Sequence, residues 1–394
     1  MRIILSTVLA LLAVACAPAP DRSELPRAPS APRLEAVLDS DAADDYAHAR
    51  APHRFEFPVD HGPHSDFRHE WWYFTGHLDA QTGQRFGFEL TFFRLALLAP
   101  SQPLSGGESR WRTKQLYAAH FAITDLERRA FHSTGRFARD ALGLAGAGGA
   151  PLRVWLDDWM LTVPDDSRQP WTLRAHEAPY RLELELRPDR EPVLNGDAGL
   201  SHKSASSPAA SYYYSIPRLT VRGTLGRDAD SLKVTGTAWL DREWGSDGLA
   251  PDEPGWDWFA LQLDDGSSVM FYSLRRTDRV RDPASAGTYV DASGVAHALR
   301  DQDVQVSVHG QWQSPRGGVY PAKWRLQVPS LGLELQLHPV LADQELDTTP
   351  RYWEGAVDVI GTHGGAALRG RGYVELTGYA STAIDARIRA RQDE

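Results

Sequence analysis

Four consecutive aromatic residues, Trp71-Trp72-Tyr73-Phe74, follow the ionisable pair His69-Glu70 and lead into Thr75-Gly76-His77-Leu78. In a strand, successive side chains point to opposite sides of the sheet, so such a run cannot hide on one face. Both faces must be covered, by a core, a ligand or a second layer. The arrangement returns at Trp256-Asp257-Trp258-Phe259-Ala260-Leu261-Gln262-Leu263-Asp264, and each run leads through a Gly turn into a second apolar strand. A chain that carries this feature twice is built from two related halves.

The repeat reaches further. Tyr214 to Thr224 has the spacing of Tyr352 to Thr362, and Gly236-Thr237-Ala238-Trp239-Leu240-Asp241 matches Gly370-Arg371-Gly372-Tyr373-Val374-Glu375. Between these marks the segments read as short strands. Arg85 to Arg94 alternates large apolar with small or polar residues, and Tyr180 to Arg187 alternates strictly with one charged face. Windows with a period of 3.6 are nearly absent. Gly143 to Gly149 has no strand leading in and no Lys-Ser/Thr closing it, so it reads as a loop rather than a phosphate cradle. The pattern predicts an all-β chain of two tandem antiparallel barrels or sandwiches packed together. Their seam is expected near Arg227–Ser231, giving domains over 53–228 and 229–386. The longer first half places its insertions near Leu98–Arg110 and Ala141–Pro151.

A formal charge of −10 with no basic stretch argues against nucleic acid as a partner. The single cysteine, Cys16, rules out an intramolecular disulfide. It ends a segment in which Met1-Arg2 precedes an apolar run, Ile3 to Val14, too short to span a bilayer. Ala13-Val14-Ala15-Cys16 resembles a bacterial lipoprotein cleavage box, with Ala13 where a leucine is usual. Residues 1–15 are then a signal peptide and Cys16 the lipidated residue. Residues 16–52, rich in Ala, Pro, Asp and Ser, read as a flexible tether. Because Ala17 rather than an aspartate follows the cysteine, the expected location is the outer membrane, facing the periplasm.

On His69 to Gly76, His120-Phe121-Ala122-Ile123-Thr124-Asp125, Trp239 to Gly245 and Gly370 to Tyr379, the chain resembles the AttH/CrtC family. That family includes the carotenoid 1,2-hydratases and relatives resembling fungal pericyclases. The resemblance spans roughly Phe55 to Tyr379. It implies two lipocalin-like β-barrels with an apolar ligand cavity between or within them, and for some members an ABC-type permease as neighbour. Hydration of an isolated alkene needs a buried acid to supply the proton and aromatic faces to stabilise a tertiary cation. In the hydratases an acid precedes His-Asn-Trp, and a Tyr and an Asp follow on the next hairpin. Here Asp241 keeps the acid and Trp244 the aromatic residue, Arg242 takes the His position, Tyr272 serves for the Tyr, and the Asp position falls near Leu274.

The candidate catalytic residues are therefore Asp241, Glu243, Arg242 and Tyr272. Candidate ligand-lining residues are His69, Glu70, Trp71, Trp72, Tyr73, Trp244, Trp256, Trp258 and Phe271. On a strand Asp241 and Glu243 share one face, and Arg242 and Trp244 the other. Arg242 also reads as one arm of a structural ion pair, and a contact with Glu70 across a pseudo-twofold would suit the repeat. His61, His64, Asp66 and His69 match no common zinc spacing, so no metal or cofactor is expected. Hydrolase and thiol chemistry lack their motifs. The sequence thus supports a lipid-anchored carrier of an apolar or isoprenoid-like small molecule, linked to an ABC-type exporter. Its rivals are a hydratase-like lyase and a protein-interaction module.

Overall fold

The computed structural model describes residues 45–104, 109–166, 168–250, 252–278 and 280–380. The signal peptide, Cys16 and most of the expected tether lie outside the described residues.

The first sheet begins with β1 (His69–Ala80), β2 (Arg85–Ala96), β3 (Gln115–Asp125) and β4 (Ala130–Arg139). Shorter strands follow: β5 (Ala145–Gly148), β6 (Leu152–Leu156), β7 (Trp159–Val163), β8 (Trp171–Glu177) and β9 (Tyr180–Pro188). After the stubs β10 (Val193–Leu194) and β11 (Leu200–His202), the long hairpin of β12 (Ala210–Arg227) and β13 (Asp230–Gly245) completes it. The strand order is β4-β3-β2-β1-β13-β12-β9-β8-β7-β6-β5, with β10 and β11 beside β12.

The second sheet contains β14 (Gly255–Leu263), β15 (Ser268–Arg275), β16 (Ala286–Val290), β17 (Ala296–Arg300) and β18 (Gln305–Gln313). Its remaining strands are β19 (Val319–Val328), β20 (Leu333–Pro339), β21 (Glu345–Leu346), β22 (Tyr352–His363) and β23 (Ala366–Leu376). The order is β17-β16-β15-β14-β23-β22-β20-β19-β18. Read from β1 and from β14 outward, the two orders coincide strand for strand. The first sheet adds β5 and β6, where an insertion was expected. The architecture is lipocalin-like and all antiparallel, with one nearly closed barrel and one half-barrel.

Two expectations are corrected. Arg227–Ser231 is not the seam between halves, because Arg227 pairs with Asp230 at the tip of the β12–β13 hairpin. The strand β13 pairs along its whole length with β1, so it closes the first sheet, and the chain crosses to the second between Gly245 and Gly255. Nor does the tether run to residue 52. Tyr46 packs against Ala96 and Ala99, Ala49 against Leu200 and Ala210, and Arg50 and His48 both pair with Asp247.

Alternation distributes the aromatic run as its spacing demands. Trp72 and Phe74 join the first barrel's core with Phe88, Phe92, Trp159 and Leu240. Tyr73, on the other face, joins a separate cluster with Trp239 and Tyr213 from its own sheet and Trp258, Tyr272 and Tyr373 from the second. The sheets therefore pack through their outer faces, and β1 and β14 are covered on both sides. Polar contacts fix this seam. Gln262 donates to the carbonyls of Pro217 and Ala238 at 2.8 and 2.9 Å, His77 donates to the carbonyl of Gly372 at 2.9 Å, and Arg371 pairs with Asp79 at 2.7 Å.

A chain beginning at residue 53 loses the docked segment and the burial of Tyr46 and Ala49. It should be less stable than one beginning at residue 45 by about 2–4 kcal/mol, on the scale of one large apolar side chain plus its polar contacts. Urea unfolding of the two chains measures the difference.

Candidate functional site

The seam collects acids, of which Asp241, Glu375, Glu354 and Glu89 have no ionic partner among the described residues. On β13, Trp239, Asp241 and Glu243 face it, while Leu240, Arg242 and Trp244 face the first core. Asp241 is buried and accepts hydrogen bonds from the hydroxyls of Ser215 and Tyr213 and from the Trp239 indole at 2.7 Å. The Trp258 indole crosses the seam to donate to the Tyr213 hydroxyl at 3.1 Å. Glu375 takes the repeat-equivalent place, because Tyr73 pairs with Asp241 as Trp258 pairs with Glu375. It accepts the Trp256 indole N–H at 2.6 Å. Its cross-strand partner Glu354 accepts the Tyr73 hydroxyl at 2.7 Å, so the second sheet's acids reach the first sheet's tyrosine.

Burial decides the protonation of this group. It pushes Asp241 up to about 7, against the pull of its three donors. It pushes Glu375 up to about 7 as well, with Asp241 and Glu243 adding repulsion. Glu354 and Glu89 rise well above the usual carboxylate range, first through burial and then through neighbouring acids. The seam therefore holds protons on carboxyl groups at neutral pH. Tyr213, Trp239, Trp258 and Tyr272 surround them with ring faces. Such a set can protonate an apolar ligand and stabilise the cation formed.

The other end of the aromatic run is built oppositely. Glu70 is fully buried in ion pairs with Arg94 and with Arg242 at 2.8 Å, and His64 adds a third partner. Burial opposes ionisation, but Arg94, His64 and Arg242 hold the carboxyl well below its ordinary value. Arg242 stacks on Trp72 at 4.0 Å, and His64 lies parallel to Trp244 at 3.7 Å. The cluster ties β1, β2 and β13 to the loop before β1.

The sequence-based candidates thus divide. Asp241, Glu243, Tyr272, Trp71, Tyr73, Trp256 and Trp258 come together in the seam. His69 lies beside Trp71, their rings 5.9 Å apart and nearly parallel. Glu243 pairs with Lys203, and Tyr272 shares a hydrogen bond with Ser201 at 3.0 Å. Glu70, Arg242, Trp72 and Trp244 belong to the first barrel's interior, and Phe271 to the second core. Arg242 therefore orients no acid in the seam. The Glu70–Arg242 contact exists, but within the first sheet rather than across a pseudo-twofold. Sequence reasoning missed Glu375, Glu354, Glu89, Tyr213 and Ser215. Glu375 was within reach, since the repeat already aligned it with Asp241. Among the described residues, buried apolar side chains occupy the core of each half. Beside the far end of the seam lies a groove of about 550 Å³ lined by Phe131, His132, Trp312, Leu341 and Glu345.

Comparison with known proteins agrees with this architecture. The model of the AttH-like family matches residues 48–379, and the chain belongs to that family. An AttH homologue from Nitrosomonas europaea is 38% identical, with a TM-score of 0.75 over 85% of this chain and 100% of its own. Kievitone hydratase from Nectria haematococca shares the fold at 15% identity, with a TM-score of 0.63 over 84% of this chain and 95% of its own. No curated protein matches the chain.

The raised Asp241 value has a stability consequence with a definite sign. The folded state holds this proton more tightly than the unfolded chain. Its contribution is therefore fully present below the ordinary value of 3.8 and is lost as pH rises through about 7. Asp241→Asn should remove that loss. Melting curves of wild type and variant across this range should diverge progressively, with the variant gaining relative stability towards alkaline pH. Glu70→Gln should instead destabilise at neutral pH by about 3–5 kcal/mol, because it leaves buried guanidinium charge uncompensated.

Proposed function

We propose that this AttH-like chain is an envelope lipoprotein whose inter-sheet seam takes up an apolar, alkene-bearing small molecule and adds water to it, as a hydro-lyase. The observation that carries the reading is Asp241: a buried carboxyl with a value near 7, beside an aromatic cluster and on the opposite face of the sheet from the arginine cluster around Glu70. An acid so placed is protonated often enough to donate at neutral pH and is not neutralised by an ion pair.

In the proposed reaction the Asp241 proton forms a C–H bond at one alkene carbon, using the π electron pair. The neighbouring carbon becomes a tertiary cation, as an isoprenoid-like substrate provides, and the rings of Trp239, Trp258 and Tyr272 stabilise it. Water forms the new C–O bond, and its surplus proton returns to the Asp241 carboxylate. Tyr213, bonded to both Asp241 and Trp258, positions the acid. Half-buried Trp71 and Trp256 border the aromatic cluster and form the apolar approach to it. The kievitone hydratase likeness is in keeping with this chemistry. Anchored through Cys16 at the outer membrane, the seam would meet lipids in transit, with an ABC-type exporter as its neighbour.

Native mass spectrometry of the protein from its own host, followed by incubation of the extracted ligand in deuterated water, tests the reading. Wild type should add one water and leave one non-exchangeable deuterium on carbon. Asp241→Asn should still bind the ligand but turn it over about 10²–10⁴-fold more slowly. A ligand that both proteins bind and neither alters would make the chain a carrier. A protein that binds no small molecule would leave the interaction module.

A further inference from the structure

A second group of polar residues occupies the same seam towards β2 and β3, and the chemistry described above does not use it. Asp241, Tyr73, Thr91 and His120 are successive cross-strand partners, so one polar row runs across four strands of the first sheet. Glu89, two residues before Thr91, points to the same side, since Phe88 and Leu90 are both in the first core. Across the seam stand Glu354 and Tyr352; Tyr352 shares a hydrogen bond with His120 Nδ1 at 2.8 Å.

All seven side chains are buried, yet several of their polar atoms have no hydrogen-bond partner among the described residues. These are both oxygens of Glu89, the Thr91 hydroxyl and His120 Nε2, while the second oxygen of Glu354 is turned to the neighbouring acid Glu375. The Thr91 hydroxyl lies beside Glu89 without completing a hydrogen bond of good geometry. Each such atom costs about 1–3 kcal/mol when left unpaired in a dry interior, and native structures pair nearly all of theirs. Four orphans on the adjacent strands β2 and β3 therefore mark a place where something else supplies the partners.

The chemistry of that partner follows from charge. Burial keeps Glu89 and Glu354 protonated and lowers His120 to about 4, so at neutral pH all these groups are uncharged. Neutral carboxylic acids, a hydroxyl and an imidazole offer donors and acceptors together but no charge to attract an ion. We propose that Glu89, Thr91, His120 and Glu354 form a binding site for a neutral hydroxyl group, taken up either as water or as an alcohol group of the ligand. Resting on the hydration reading, this site supplies the reacting water, and Tyr73 stands in the row between it and the acid. The Tyr73 hydroxyl donates to Glu354, and its backbone pairs with Asp241. The groove of about 550 Å³ borders this site, since Phe131 in its lining packs on Ala122, Leu346 and Tyr352.

Crystal structures of the full chain, with and without tert-butanol, test the assignment together with the near-isosteric variant Thr91→Val. In wild type alone, ordered water should lie within hydrogen-bonding distance of Glu89, Thr91 and His120. In the alcohol soak, a hydroxyl should replace it if the site serves a ligand alcohol, while persistence of the water assigns the site to water only. Thr91→Val should lower the melting temperature by a few degrees and remove that water. A dry site in wild type, or a Thr91→Val protein that melts higher, would overturn the assignment. The two readings fail separately. Bound water with no turnover defeats the hydratase and leaves the hydroxyl site standing; turnover with a dry site does the reverse.

Discussion

The structure depends on one constraint: the outer faces of two sheets are pressed together, so their central strands are covered on both sides. A lone barrel turns its outer face to water, and an acid there stays ionised. Here the faces of β1, β13, β14 and β23 form a seam shielded from bulk solvent, and its side chains are read in a low effective dielectric. A charge moved into such a place loses hydration worth several kcal/mol, recovered only through an opposite charge or several good donors. Each acid in this protein is governed by which of those it finds.

Glu70 and Asp241 show the two outcomes on neighbouring strands. Both are buried and accept several hydrogen bonds. Glu70 receives two guanidinium groups, and full charges at contact distance overcome desolvation, so its carboxylate remains ionised and ties strands together. Asp241 receives only neutral donors from Ser215, Tyr213 and Trp239, and these do not cancel the burial of charge. One position therefore fastens the fold and the other stores a proton. Alternation along β13 keeps the roles apart, because Arg242 points away from the seam that its sequence neighbours face.

This explains what the sequence made legible. Period-two patterning and the repeated aromatic run implied strands, two halves and coverage on both faces, and the motifs added the lipocalin-like fold. The boundary between halves was misplaced because Arg227-Asp228-Ala229-Asp230 has the composition of a linker, yet it is a hairpin tip. Nothing local separates the two; only pairing of β13 with β1 does. The site was half legible. Asp241 and Glu243 could be assigned to one face by alternation, but whether that face met solvent, a core or a second sheet was a long-range fact. Glu89 shows the limit most clearly. Its strand reads as a half-buried one with Gly87, Glu89 and Thr91 outward, and only the second sheet turns that outward acid into a buried one.

The repeat supplies the deeper reason why acids meet here. Two copies of one fold, packed through the same outer face, bring equivalent positions towards each other, so an acid carried at that position in each copy arrives at a shared seam. Asp241 and Glu375 are such a pair, and the Asp241 charge adds to burial in raising the proton affinity of Glu375. Burial and this repulsion together keep a proton on Glu375 where a single exposed acid would have lost it. The copies have since diverged around the pair. The first half surrounds its acid with Ser215, Tyr213 and Trp239, whereas the second offers Trp256 and a further acid, Glu354. That asymmetry gives the two carboxyls different surroundings.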